Sequence, residues 1–266
     1  MIGGLGLIDA HCHLGDPAYA DPEAVVDRAR EQGVTGVAAA GTGPASNAAI
    51  LVLAQRLPHT IWPCIGLHPE EVLVPEETVE GVLEEIRRLR HVVLGVGEVG
   101  LPYYAVREGR APAEAMAVVR RRLERFLALA RELGLAVVLH APHEAAAIAL
   151  DCLRKAGIRR AVFHWHKAPD DVTDAIVTAG YCVSVTPEVC YRERDRRLVA
   201  RVPLGSLILE TAGPWPYRGE FDGRRTEPWM VRRVAEEVAS IKGLTLEEVT
   251  AQTFLNTFRL FRGIAW

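Results

Sequence analysis

Asp9-Ala10-His11-Cys12-His13 places two imidazoles two residues apart at the end of an apolar run. On an extended chain, side chains two apart leave the same face, so His11 and His13 can close on one ion while Cys12 points away into packing. Similar ends recur along the chain: Gly66-Leu67-His68-Pro69, Gly97-Glu98, His140 and His164-Trp165-His166. Of the nine histidines only His59 and His91 fall away from such ends, His143 lying three residues past His140. A lone H-x-H is a weak signal, and a single histidine at a strand end is ordinarily a polar rim residue, which is the reading for His143. The set is more informative than its members. Imidazole with carboxylate and without thiolate suits Zn²⁺, Mn²⁺ or Fe²⁺ in a catalytic rather than a structural site. His11, His13, Glu98, His140 and His164 exceed what one catalytic ion takes from protein, so two ions bridged by Glu98 fit the count better. Burying Glu98 without a cation would be costly.

These residues need a scaffold that brings distant strand ends together. Short apolar runs alternate with helical patterns along the chain: Leu5–Ala10, Gly36–Ala40, Ile61–Ile65, Val92–Val96, Ala136–Leu139, Ala161–Phe163, Tyr181–Val185 and Leu207–Leu209. Several are hydrophobic at nearly every position, as strands covered on both faces are. The clearest helix is Ala113–Leu133, with Leu123, Phe126, Leu127 and Ala130 on one face and Arg120, Arg121 and Arg122 read as a solvated surface. Gly33, Gly134, Gly157 and Gly180 precede the next run as helix C-caps should. Eight strand–helix units without a flexible linker predict an α/β fold of one domain over 1–266, a (β/α)8 TIM-type barrel. An open doubly wound sheet is the rival, but no G-x-G-x-x-G turn follows the first run. Two further helices are expected at the C-terminus, over Pro228–Lys242 after Thr226 and over Thr245–Phe261, the second opened by a T-L-E-E capping box.

The chain has 266 residues, of which 49% are hydrophobic and 24% charged, within the ordinary globular range. A net charge of -3 gives no strong electrostatic field for capturing nucleic acid at long range, although a local site can still take a phosphodiester. Five cysteines without a C-x-x-C pair read as free thiols in a reducing cytoplasm. The start MIGGLGLIDAH lacks the basic region of a signal peptide, and no apolar run reaches membrane-spanning length. Oligomeric state leaves no trace in the sequence.

D-A-H-C-H at 9–13, G-L-H-P at 66–69, G-E-V-G-L at 97–101, L-H at 139–140, F-H at 163–164, L-E-T-x-x-P at 209–214 and the closing L-F-R-G-I at 260–264 resemble, in order and spacing, the TatD family of metal-dependent hydrolases, within the amidohydrolase-like barrels. The resemblance implies two divalent ions, drawn from Zn, Mn or Mg. His11, His13 and Glu98 would hold one, and Glu98, His140 and His164 the other. It also implies hydrolysis of phosphodiesters, often as a deoxyribonuclease acting from a 3′ end. His68 would lie beside the site as a substrate contact or a support for the ligands, and Tyr103 and His166 at the same end are expected to touch substrate.

Three departures bear on chemistry. Ala212 stands where the family's E-T-D-x-P carries the aspartate that contacts one metal and handles the proton of the attacking water. Pro142 stands where nuclease-like members have a phosphate-binding arginine, and Pro102 replaces the aspartate of G-L-D. The expectation is a phosphodiester hydrolase inactivated or strongly attenuated at position 212, with a phosphodiester or other small substrate. Two alternatives stand beside it: an amide or cyclic-amide hydrolase, favoured by Pro142 and the weak basic charge, and a ligand- or partner-binding pseudoenzyme, favoured by Ala212.

Overall fold

The computed structural model describes residues 5–263. Met1–Gly4 and Ile264–Trp266, and with them part of the MIGGLGLIDAH start and the last residue of L-F-R-G-I, lie outside the described residues. Eight parallel strands follow one another in chain order: β1 (Leu7–Cys12), β2 (Val34–Ala40), β3 (Ile61–Ile65), β4 (Gly95–Gly100), β5 (Ala136–His140), β6 (Ala161–Phe163), β7 (Cys182–Val185) and β8 (Leu207–Leu209). They form a nearly closed TIM-type barrel. The seam between β8 and β1 is stitched just past the strand ends, where Ala212 N–H donates to His11 C=O at 2.8 Å and His13 N–H to Gly213 C=O at 2.7 Å. The Asp9 carboxylate adds to it by accepting from the Thr211 N–H and hydroxyl.

The connecting helices are α1 (Pro22–Glu31), α2 (Pro44–Arg56), α3 (Glu76–Arg88), the short α4 (Tyr103–Arg107), α5 (Ala115–Leu133), α6 (Ala145–Ala156), α7 (Asp170–Thr178) and α8 (Glu193–Arg201). Two more follow β8: α9 (Val231–Lys242) and α10 (Leu246–Arg262), the latter opened by Thr245 and Glu248 in the expected reciprocal cap. Gly134 and Gly157 end α5 and α6 in the left-handed conformation that glycine takes without a Cβ penalty. Among the described residues no helix is long and apolar enough to cross a membrane.

Two apolar layers result. The outer one lies between sheet and helices and includes Leu123, Phe126, Leu127 and Ala130 of α5. The inner one fills the barrel with Ile8, Ala10, Ala38, Trp62, Val138, Val162 and Ile208, and α10 closes its floor with Leu260 and Phe261. Packed rather than hollow below, the barrel leaves room for chemistry only above this plug.

Pairing register explains how side chains reach that space. Between β1 and β2, Asp9 faces Val37 but Cys12 faces Ala39, so three steps on β1 oppose two on β2. The same extra residue appears in β4, where Val96 faces Val137 and Val99 faces Leu139. Each bulge resets the alternation. Ala10 and then His11 both turn inward in β1, Gly97 and then Glu98 in β4, while Cys12 and Val99 return to the outer layer. Gly97 belongs at its bulge because a Cβ there would stand 2.6 Å from the Val138 Cβ.

Two expectations are corrected. β4 begins at Gly95 rather than Val92, because Val92 and Val93 still bond back to Leu89 at the end of α3, leaving Val92 46% exposed. Arg122 is buried rather than solvated: its guanidinium donates to the Glu71 and Val72 carbonyls and ties α5 to the loop after β3.

The floor can be tested by truncation. Phe261→Ala removes a ring that is 3% exposed and packs edge-on to Trp62 at 5.9 Å, and should cost about 3–5 kcal/mol in chemical denaturation. A loss below about 1 kcal/mol would mean that α10 does not seal the barrel.

Candidate metal centre

Glu98 has no exposed surface, and five imidazoles converge on it. Oε2 lies 3.2 Å from His11 Nε2 and 3.4 Å from His13 Nε2. Oε1 lies 2.7 Å from His140 Nδ1, 2.8 Å from His164 Nε2 and 3.2 Å from His68 Nε2. The two carboxylate oxygens thus serve different sets of rings. Within each set the nitrogens crowd together, 3.2 Å between the Nε2 atoms of His11 and His13 and 3.3 Å between His140 Nδ1 and His164 Nε2.

This donor set fits divalent cations. Ligands held about 2.1 Å from one ion sit roughly 3.0–3.4 Å from each other, the spacing found here. Glu98 Oε2, the oxygen toward His11 and His13, accepts no hydrogen bond among the described residues. Buried polar atoms left this way are costly unless something else satisfies them.

Outer groups fix the rings. His13 Nδ1 lies 2.9 Å from the Ala40 C=O, which only a protonated Nδ1 satisfies, leaving the Nε2 lone pair toward the centre. Glu210 stands 3.5 Å from His164 Nδ1 and is itself held by the Trp165 N–H and the Ser184 hydroxyl. Glu70 stands 3.5 Å from His140 Nε2 and accepts from the Tyr104 and Ala105 N–H groups at the start of α4. His68 differs. Its Nδ1 accepts from the Glu70 N–H at 3.3 Å, so Nε2 carries the proton and donates to Glu98 instead of offering a lone pair. His68 therefore supports the carboxylate rather than joining His140 in a ligand set.

The electrostatics follow from burial and from Glu98. Burial, with His11 beside it, pushes His13 down to about 3, and burial also lowers His11. Against the same burial, the charge of Glu98 and the contact with Glu210 hold His164 up to about 10. Burial acts on Glu98 in the opposite sense to its neighbours, yet His164 and His68 keep its carboxyl well below the usual carboxylate range. Within β1, burial pushes Asp9 up to about 8 even though its carboxylate accepts from Thr211 and from the His11 N–H.

A cavity of about 660 Å³ opens over the cluster, lined by His13, His68, Glu98, His140 and His164 and walled by Glu70, Tyr104, Pro142, Lys167, Trp215 and Ala212. The other two residues expected to touch substrate, Tyr103 and His166, do not line this cavity. His166 is 2% exposed and bonds Thr173 Oγ1 at 2.8 Å behind the site. Trp165 is left-handed (φ 42°), which breaks the extended alternation that would have carried His166 inward. Tyr103 leans on His143 at 5.0 Å and accepts from Arg107, while Tyr104 lines the cavity. Successive residues of a helix point about 100° apart, so only one of the pair can face inward. Ala212 does reach the cavity, but with φ 49° rather than in the extended geometry expected after Glu210. Sequence reading passed over Glu70, two residues past His68, and Lys167; a carboxylate that close to a strand-end histidine was the available signal for the first.

A family model described as TatD related DNase matches residues 8–262. Deoxyribonuclease TATDN3 of Homo sapiens is 30% identical, over 97% of this chain and 95% of that protein. The 3'-5' ssDNA/RNA exonuclease TatD of Erwinia amylovora is also 30% identical, over 96% of this chain and 99% of its own length. Among solved structures, the TatD homologue YJJV of Escherichia coli K12 superposes with a TM-score of 0.86 at 25% identity, covering 96% of this chain and 98% of that one.

His166→Ala separates packing from ligation. It should lower stability by about 2 kcal/mol or more, through a lost buried ring and hydrogen bond, without changing bound metal per chain by elemental analysis. Loss of metal with unaltered stability would return His166 to the site.

Proposed function

The chain belongs to the TatD-related DNase family, and on that premise we propose that it is a two-metal hydrolase of phosphodiester bonds whose proton-transfer position, residue 212, is vacant. The observation that carries the reading is the division of Glu98: one oxygen toward His11 and His13, the other toward His140 and His164. One carboxylate serving two imidazole sets is what a bridging ligand between two ions requires. His11, His13 and Glu98 would hold the first ion, and Glu98, His140 and His164 the second, with Zn, Mn and Mg as the candidate metals. The names of the relatives support phosphodiesters, nucleic acid among them, as the substrate class.

Bound at these positions, divalent cations supply the positive charge that polarises a phosphoryl group and activates water. The rest falls to the chain. Ala40, Glu70 and Glu210 hold three of the rings in orientation, as above. His68 Nε2–H steadies Glu98 Oε1 while its edge faces the cavity. Leu67 and Leu101, both buried in the outer apolar layer, anchor the strand ends that carry His68 and Glu98. At the mouth Ala212 presents a methyl group where a carboxylate could take up and return a proton. Such a transfer is worth about 10²–10⁴-fold in rate, so this chain should bind metals and substrate yet turn over slowly.

A second reading, a binding protein without chemistry, draws on the same alanine. One substitution separates the two. A left-handed residue at φ 49° suits aspartate at least as well as alanine, so Ala212→Asp should fold normally. It should raise turnover of a phosphodiester such as bis(p-nitrophenyl) phosphate with Mn²⁺ by about 10²-fold or more. If no ester or amide substrate is turned over faster by that variant, the non-catalytic reading takes its place.

The bridging role has its own test. Glu98→Ala should lose both ions by elemental analysis, whereas unchanged metal content would refute the bridge.

A further inference from the structure

The cavity above the imidazoles continues past its rim. Trp165, Lys167, Trp215 and Pro216 line both it and a second cavity of about 410 Å³, whose wall also carries Arg192 and Arg218. Besides the imidazoles, Arg110 and Lys167 face the inner cavity, and they differ. Arg110 is committed, 2.9 Å from Glu108 and 3.4 Å from Glu70. The Lys167 ammonium makes no hydrogen bond among the described residues, and its nearest carboxylate, Glu188, is 3.9 Å away. Glu188 is already served by Arg192 and Arg194, each at 2.7 Å, and by the Trp165 indole N–H at 2.9 Å. Beneath it the Trp165 ring holds the ammonium 3.7 Å from its centroid. With a side chain only 12% exposed, Lys167 is a desolvated cation lacking a hydrogen-bonded anion, a condition that an incoming anion relieves. Burial accordingly pushes it down to about 8.

Beside it Trp215 is 55% exposed. It packs against Trp165 in a T-shaped pair, with centroids 5.3 Å apart and planes at 72°, and lines both cavities at their boundary. Pro214 and Pro216 flank it and limit the backbone on either side. An exposed indole beside an ammonium without a hydrogen-bonded anion suits a nucleotide: the base stacks and the phosphate pairs.

We propose that the ridge formed by Lys167 and Trp215 is a subsite for the nucleotide unit adjoining the scissile bond, with Trp215 stacking its base and Lys167 holding a second phosphate. The inference rests on the phosphodiester reading above and narrows it to substrates that carry a phosphate beyond the one cleaved. Arg218, in the wall of the second cavity, marks the direction in which a longer strand would leave.

Binding rather than turnover tests it. Calorimetric titration of the Mn²⁺-loaded protein with thymidine 5′-monophosphate and with thymidine 3′,5′-bisphosphate should show the bisphosphate binding about tenfold tighter, the gain of one charge-assisted contact. K167Q should bring the two affinities within about twofold of each other. K167R, which keeps the charge, should preserve the preference, and W215A should weaken both ligands alike. Equal affinities in the unmodified protein, a preference that survives in K167Q, or one lost in K167R as well would overturn the proposal. Turnover of a dinucleotide reads the hydrolase assignment separately: no turnover together with an intact, Lys167-dependent preference would sink that assignment and leave the subsite standing.

Discussion

A carboxylate at the centre of a barrel, without solvent, must have positive charge within a few ångström or give up its own. Glu98 is in that position, and much of the upper barrel can be read as a response to it. Imidazoles from β1, β5, β6 and the loop after β3 surround it because each of those strands ends at the same level. Replacing one of them by an apolar side chain would leave the carboxylate underserved. The arrangement therefore costs stability wherever positive charge is withheld, and gains it from a divalent cation.

The same constraint extends outward. A ring that must present one nitrogen to the centre needs something to hold the other, and Ala40, Glu70 and Glu210 provide it from three different elements. Glu210 depends in turn on Ser184 and on the backbone of Trp165, whose left-handed turn also carries Lys167 to the mouth. Asp9 belongs to this outer layer. By accepting from the His11 N–H and from Thr211 it fixes the bulge that turns His11 inward and the seam at which Ala212 meets β1. Thus Ala212 is built into the barrel closure, not hung on a free loop.

The fold was legible because eight short apolar runs, several of them hydrophobic at nearly every position, alternate with helical patterns along the whole chain. The convergence of His11, His13, Glu98, His140 and His164 was legible because each follows such a run. What strand periodicity could not give is phase. From Ile8 and Ala10 inside the barrel, strict alternation would send His11 outward, and from Val96 in the outer layer it would send Glu98 the same way. Bulges in β1 and β4 reverse both, and a bulge depends on pairing with the neighbouring strand, which local sequence does not contain. The placement of His166 and Tyr103 outside the cavity has a complementary reason: Trp165 is left-handed, and a helix begins at Tyr103. Lys167 gave no signal, since what singles it out is the company that Glu188 keeps.

The central claim is that Glu98 joins two cations, one on each side of its carboxylate. Anomalous diffraction from crystals grown with Mn²⁺ and measured near the manganese edge tests it most directly. The account predicts two peaks flanking the Glu98 carboxylate, one beside His11 and His13 and one beside His140 and His164. A single peak, or one centred between His11, His164 and Glu210 with Glu98 left out, would contradict it.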